Sequence, residues 1–242
     1  MPPIVRLRSL LLLACVFALA LFALTGCGSS NSGNGLASKS AEEIVKEAKT
    51  AADGASSVHV SGSVNSGGSP VTLDLNLAAG KGAIGQISQN GSTFKIIIDG
   101  GAAYISGSDA FYRRLGGSAA AQLLAGKWLK VSTSTPEFAS FGSLTNMRKL
   151  LDTVLVGHGT LEKGPTHPTT TVGGQQAIEV KDTTRGGSLY VATTGKPYPL
   201  KISKSGSETG AIKFDKWDEP VTITAPASSV NLSELKSLAG GH

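Results

Sequence analysis

Val71-Thr72-Leu73-Asp74-Leu75-Asn76-Leu77 carries an apolar side chain at every second position, with Thr72, Asp74 and Asn76 between them. A period of two is that of a strand with one face buried and the other in water. Toward the N-terminus, across the turn Ser66-Gly67-Gly68-Ser69, Val58 and Val60 alternate in the same way with His59 and Ser61. Toward the C-terminus the pattern predicts a strand over 83–89 and another over 93–99. They are joined by Asn90-Gly91, the dipeptide that suits a tight hairpin turn. Gly100-Gly101 then turns the chain into Ala103-Tyr104-Ile105. The expectation is an antiparallel meander with a single apolar face.

The flanking segments extend it. Ser40-Ala41-Glu42-Glu43 has the form of a capping box, and Ile44, Val45, Ala48, Ala51 and Ala52 share one helical face, which predicts a helix over 41–52. Ser108-Asp109 caps a short helix carrying Phe111, Tyr112 and Leu115, and 118–124 forms another. The chain then returns as a strand over 126–131. Pro136 sits early in the next helix, where its missing N–H is harmless, with Phe138 and Phe141 after it. The longest helix is expected over 144–156, with Met147, Leu150, Leu151, Val154 and Leu155 as its apolar side. Strands resume over 158–163, 169–172, 177–182, 188–192, 200–204, 211–216 and 221–224, and a short helix over 231–238 closes the chain. Ten or eleven strands joined by short turns, with helices before and between, give an α+β fold. It is one large, curved antiparallel β-sheet with helices packed on a single face.

The motifs that could carry chemistry lack their context. Gly80-Lys81-Gly82-Ala83-Ile84-Gly85 matches a dinucleotide fingerprint, but the next segment reads as a strand, not the helix that would hold a pyrophosphate. Ser92-Thr93-Phe94-Lys95 and Ser233-Glu234-Leu235-Lys236 match S-x-x-K without the companion elements of penicillin-binding enzymes, and there is no G-x-S-x-G elbow. His59, His158, His167 and His242 stand apart without a second ligand at useful spacing, so each reads as a solvated side chain and no metal site is expected. No catalytic residues emerge, no cofactor is implied, and the chain reads as a non-enzyme.

The N-terminus sets the address. Arg6 and Arg8 precede an apolar run from Leu10 to Leu24, and Leu24-Thr25-Gly26-Cys27 ends it. This is the layout of a secretory signal, and about 15 apolar residues fall short of the roughly 20 that a span needs. The Leu-x-Gly-Cys ending resembles the lipobox of bacterial lipoproteins. That resemblance implies cleavage after residue 26, a diacylglycerol on the sulfur of Cys27, and a lipid-anchored protein on the outer face of the cell membrane. Residues 27–39, with 28–39 rich in Gly, Ser and Asn, read as a flexible tether, and residues 40–242 as one domain. Without Arg6 and Arg8 there remain 20 Lys+Arg against 17 Asp+Glu, a balance of +3. The charges are scattered, paired only at Arg113-Arg114 and Arg148-Lys149, so nucleic acid is not an expected partner. Cys15 leaves with the signal and Cys27 is lipidated, so the domain has no disulfide and stands on core burial alone.

An apolar face on a curved sheet encloses either a filled core or a cavity. With 31 glycines and only 5% aromatic residues the chain is poor in bulky groups to fill the interior. A dry apolar void accepts hydrocarbon. The inner wall expected from alternation is Val60, Leu73, Leu75, Ile96, Ile98, Tyr104, Trp128, Leu189, Val191 and Ile202. The lid expected from helix faces is Phe111, Leu124, Phe138, Phe141, Leu150, Leu151 and Val154. The same side chains can instead simply pack against one another.

Further features carry a second resemblance. They are the lipobox, the Ser/Gly tether, an Ala/Lys-rich first helix, Ser57-Val58-His59-Val60, Gly100-Gly101-Ala102-Ala103-Tyr104, Gly126-Lys127-Trp128 and Lys216-Trp217-Asp218-Glu219-Pro220-Val221. Together they resemble the actinobacterial LppX/LprAFG-type lipoproteins, similar in fold to the LolA/LolB carriers. The resemblance implies a half-barrel whose concave face, covered by helices, holds acyl chains of lipids or lipoglycans carried or presented in the cell envelope, with a membrane transporter as a candidate partner. The alternative is an anchored extracytoplasmic interaction or sensor module with a filled core.

Overall fold

The alternating stretch at 71–77 lies inside β2 (Ser69–Ala78), which pairs along its whole length with β1 (Ser57–Ser66) and for eight residues with β3 (Gly82–Gln89). The meander continues through β4 (Ser92–Asp99), β5 (Ala102–Gly107) and β6 (Leu129–Ser132). The computed structural model describes residues 33–66, 68–143, 148, 159–165, 170–205 and 209–234. The later strands are β7 (Leu161–Lys163), β8 (Thr170–Val172), β9 (Gln175–Asp182), β10 (Gly187–Ala192), β11 (Pro199–Lys204), β12 (Gly210–Asp215) and β13 (Val230–Asn231).

Among the described residues these thirteen strands form one unclosed sheet in the order β13-β6-β5-β4-β3-β2-β1-β12-β11-β10-β9-β7, with β8 also on β9. Every pairing is antiparallel except β13 with β6. β1 is the seam. It joins the N-terminal meander to the C-terminal one through β12, with Val60 opposite Phe214. The α+β class and the single antiparallel sheet are therefore as the sequence leads one to expect, with more strands than the ten or eleven read from alternation.

Helix α1 (Ala41–Asp53) starts in a complete capping box. Glu43 N–H donates to Ser40 Oγ at 3.2 Å, and Ser40 N–H donates to Glu43 Oε2 at 2.8 Å. Ile44, Val45, Ala48 and Ala52 are buried against the sheet on the side of β7, β9 and β11. Helix α2 (Asp109–Leu124) packs on β4 and β5. Gly116 and Gly117 leave helical geometry in its middle, so it is two short helices, as expected from the sequence. Pro136–Phe138 forms a 3-10 turn leading into α3 (Ala139–Ser143). Ile44, Ala48, Tyr112, Ala121 and Leu124 share one buried cluster with Val58, Val60, Leu75, Leu77, Ile96, Ile98, Ala103 and Ile105, so both helices cover the same sheet face.

Three expectations need correction. Residues 221–224 are not a strand, and the last strand is instead β13, which reaches β6 in parallel. The strand expected over 158–163 is shorter, Leu161–Lys163. The tether does not run to Lys39. Asn34 N–H donates to Thr193 O at 2.8 Å, its side-chain amide donates to Ala192 O at 2.8 Å, and Leu36 is 1% exposed. The Leu36 side chain, the Asn34 amide and Lys163 Nζ, which donates to Ala37 O and Lys39 O at 3.0 and 2.8 Å, together dock a segment whose composition reads as solvated. The predicted helix over 144–156 and most of that over 231–238 lie outside the described residues, apart from Arg148 and 231–234.

Candidate functional site

The covered face of the sheet is the apolar wall, and its burial changes along the strands. On β2, Leu77 and Leu75 are 0% and 1% exposed, whereas Leu73 and Val71 are half-buried. On β3, Ala83 is buried while Ile87 is half-buried, and on β12 Phe214 is buried while Ile212 is half-buried. The strand register puts these positions in line. Leu73 lies opposite Ile87, and β1 carries the row across to Gly62 opposite Ile212. The wall is therefore closed at the end near Val58, Leu77 and Ile98, and on β2, β3 and β12 it is less covered toward the 66–69 hairpin, whereas on β4 Ser92 and Phe94 stay buried at that end.

Two glycines shape this wall. Gly62, opposite Leu73, has φ 146°, and a Cβ there would fall 2.0 Å from the carbonyl oxygen of Ala211. Gly85, opposite Leu75, approaches so closely that its Cβ would meet Asp74 O at 2.0 Å. Glycine inside a strand marks a bend or a close backbone approach, and at both positions it leaves the inner face without a side chain.

A row of aromatic groups runs from Phe94 and Phe111 at the less covered end to Phe138 beside the turn at 100–102. Phe94 lies 4.8 Å from Phe111 and 6.2 Å from Phe141, ring centre to ring centre, and Phe138 stacks on Phe141 at 6.3 Å. Tyr112 holds α2 in place. Its hydroxyl accepts the N–H of Gly107 at 3.0 Å and shares its own hydrogen between Lys127 O at 3.1 Å and Ile105 O at 3.3 Å. Burial pushes the Tyr112 phenol up from its ordinary value, so it stays a neutral donor.

The structure brings most of the predicted residues together. Val60, Leu75, Ile96, Ile98, Leu124, Leu189 and Val191 are buried in the core cluster, and Leu73, Phe111, Phe138, Phe141 and Ile202 pack half-buried against it. Tyr104 is elsewhere. Its neighbours Ala103 and Ile105 point into the core, which turns Tyr104 to the other face, where Lys130 Nζ lies 5.8 Å from its ring centre. Trp128 is half-buried ahead of β6 and is not part of that cluster. Cys27, Leu150, Leu151 and Val154 lie outside the described residues. Ile87 and Ile212 escaped the sequence reading, although both follow the period of two once Gly85 and Gly62 are counted as wall positions.

The opposite face carries a polar clamp. His59 Nδ1 lies 2.6 Å from Asp215 Oδ1 and Nε2 lies 3.0 Å from Asp74 Oδ1, so the ring spans β12, β1 and β2. Partial burial works against the charged ring, but the hydrogen bonds to Asp74 and Asp215 outweigh it and raise the His59 pKa. His59 is thus partnered on both sides, not simply solvated. A second cluster ties the turn at 193–198 to the closed end. Lys196 Nζ and the Tyr198 hydroxyl contact Asp218 Oδ2 at 2.8 and 2.5 Å, and Tyr198 stacks on Trp217 at 4.5 Å. Hydrogen bonds from Lys196 and Tyr198 hold the Asp218 carboxyl well below the usual carboxylate range.

Two surface clefts are charged or small. One of about 650 Å³ lies between α1 and the turn at 195–197, lined by Lys39, Glu43, Lys46, Glu47 and Lys196. The other, about 390 Å³, lies between the turn at 100–102 and residues 231–233, with Phe138 and Lys130 on its walls. Among the described residues no group of three or more His, Cys, Asp or Glu is placed to hold a metal, and no helix is long and apolar enough to cross a membrane.

An unclosed, mostly antiparallel sheet with helices on one face defines the class, and solved structures share it. The crystal structure of LprF from Mycobacterium bovis superimposes with a TM-score of 0.55 at 15% identity, covering 78% of this chain and 97% of that one. The Mycobacterium tuberculosis lipoprotein LppX gives 0.48 at 17% identity, covering 76% and 98%. No family model and no curated protein sequence matches the chain. The likeness to LprF is one of fold, and the fold is the one that the LppX/LprAFG resemblance implies.

Proposed function

We propose that this chain is a membrane-anchored lipoprotein that binds acyl lipids or lipoglycans on the inner wall of its sheet and carries or presents them in the cell envelope. The observation that carries this reading is the burial gradient along the wall, from fully covered Leu75 and Leu77 to half-covered Val71, Leu73, Ile87 and Ile212. Half-covered aliphatic groups on a face otherwise packed by helices are where an acyl chain gains most. Each methylene moved out of water yields about 0.8 kcal/mol. The fold shared with LprF and the lipobox at 24–27 support the same reading, with the anchor on Cys27 and the domain on the extracytoplasmic side. The role is binding, not catalysis.

Native mass spectrometry of the soluble domain produced without Cys27 tests it. Retained or captured acyl lipid, bound at one-to-one stoichiometry, is the expected result. A domain that co-purifies with none and takes up none when offered would leave the filled-core interaction module as the better description.

A further inference from the structure

Two polar residues are buried among the described residues, Ser57 and Ser92, each 3% exposed. The Ser57 hydroxyl donates to Glu219 O at 2.5 Å. The Ser92 hydroxyl is shut from water and meets no hydrogen-bond partner among the described residues. On the outer face of the same hairpin Ser88 and Thr93 pair their hydroxyls at 2.7 Å. A buried hydroxyl left without a partner is unfavourable, and an alanine of nearly the same size would not carry that cost.

The strand register places this hydroxyl. Ser92 opens β4 two residues before Phe94, so both belong to the apolar wall. Gln89 lies directly opposite Ser92, and Ile87 opposite Phe94. Gln89 is exposed and Ile87 half-buried, so the cover over the wall ends between β4 and β3. One cross-strand spacing, roughly 5 Å, separates Ser92 from that less covered strip. Lys95, its companion in the S-x-x-K match, stands on the opposite face and is exposed. The match therefore supplies Ser92 with no base, and the hydroxyl is a binding group, not a nucleophile.

Resting on the acyl-lipid reading above, we infer that the Ser92 hydroxyl donates to the ester carbonyl of a lipid whose chain lies on Ile87 and Leu73, and that the ligand class is the ester-linked acyl lipid. A hydroxyl has one hydrogen to give. Phe94, next on this face of the strand, is itself covered by Phe111, so the surroundings suit a single neutral acceptor joined directly to hydrocarbon. A phosphate or sugar placed there would bring further polar groups with nothing to bond, which burial disfavours. Those parts of a lipid stay at the exposed tip of the hairpin, beside Gln89 and Asn90.

The test uses the full chain, made in a host that processes lipoproteins and released from detergent micelles into native mass spectrometry. It is offered an equimolar mixture of dipalmitoyl phosphatidylcholine and its dihexadecyl ether analogue. The two match in chain length and headgroup and differ in the carbonyls, and their masses separate in one spectrum. The wild type should capture the ester over the ether by about three- to tenfold, and Ser92→Ala should capture both alike. Without added lipid, the thermal midpoint of Ser92→Ala should equal or exceed that of the wild type. Equal capture by the wild type, or a preference that persists in Ser92→Ala, would overturn the role of Ser92 and leave acyl-lipid binding standing. Capture of neither lipid would overturn both. A lower midpoint for Ser92→Ala would mean that the hydroxyl is already bonded without ligand, which also overturns its role.

Discussion

At the scale of single residues, polar side chains outside the wall hold it in position. Tyr112 satisfies one N–H and one carbonyl ahead of α2 and one carbonyl just after it, while fully buried itself. Tyr112→Phe keeps the packing and strands the Gly107 N–H, which is expected to cost about 1–2 kcal/mol in denaturant titrations. His59 makes a sharper prediction. Both ring nitrogens face carboxylate oxygens, so both need hydrogens, and only the charged ring has two. Because the folded pKa is raised, this contribution is fully present below the unfolded value of 6.5 and is lost as pH rises through the folded value. Denaturation midpoints should therefore fall above about pH 6.5, and His59→Asn should remove that part of the slope. A wild-type slope unchanged in the variant would count against the clamp. The alternation puts His59 on the polar face correctly, but Asp215 lies 156 residues away, and no local pattern reports a cross-strand partner at that distance. Tyr104 escapes the alternation for a related reason. In Ala103-Tyr104-Ile105 every position is apolar, so the face is undetermined until the pairing of Ala103 with Ile98 sets it.

At the scale of elements, local chemistry was legible and long-range pairing was not. β1 and β2 obey their alternation and the meander its glycine turns, and the cap of α1 obeys Ser40 and Glu43, whereas on β4 Ile96, Ile97 and Ile98 are all buried. Ser40→Ala should cost about 1 kcal/mol, read from thermal unfolding, because one orphan N–H at the helix start loses its acceptor. Val221-Thr222-Ile223-Thr224 alternates as well as any real strand, yet it pairs with nothing, set between Pro220 and Pro226. β13, by contrast, is two residues long and joins β6 in parallel, and two residues carry no period to read. Gly62 is the element-scale device that the sequence shows without explaining. Adding one methyl at Gly62 drives it into the Ala211 carbonyl across the seam, so Gly62→Ala is expected to cost about 1–3 kcal/mol or more. Gly91→Ala, at φ 71° in a turn with nothing within 4 Å, meets no such clash and should cost less. Equal losses for the two would mean that the close approach of β1 and β12 at Gly62 does not set the cost.

At the scale of the whole molecule, two leucines on one strand separate what stabilises the fold from what contacts a ligand. Leu75 and Leu73 are two residues apart on β2, point to the same face, and are indistinguishable by period. The structure separates them, with Leu75 1% exposed inside the core and Leu73 half-buried at its margin. If the wall is a filled core throughout, both truncations create cavities and both cost stability. If its less covered end receives an acyl chain, the losses divide. Leu75→Ala should lower stability by about 2–5 kcal/mol, the range for a buried leucine. Leu73→Ser should cost clearly less in the ligand-free domain, because water already reaches that position, yet it should weaken acyl-lipid capture in native mass spectra and in titrations with a fluorescent fatty acid. A hydroxyl facing a methylene chain has no partner, and a buried hydroxyl without one is unfavourable by roughly 1–3 kcal/mol, enough to lower affinity by about 5-fold to 140-fold. Leu73→Ser with undiminished lipid capture, or with a stability loss equal to that of Leu75→Ala, would place the binding surface elsewhere than at this end of the sheet.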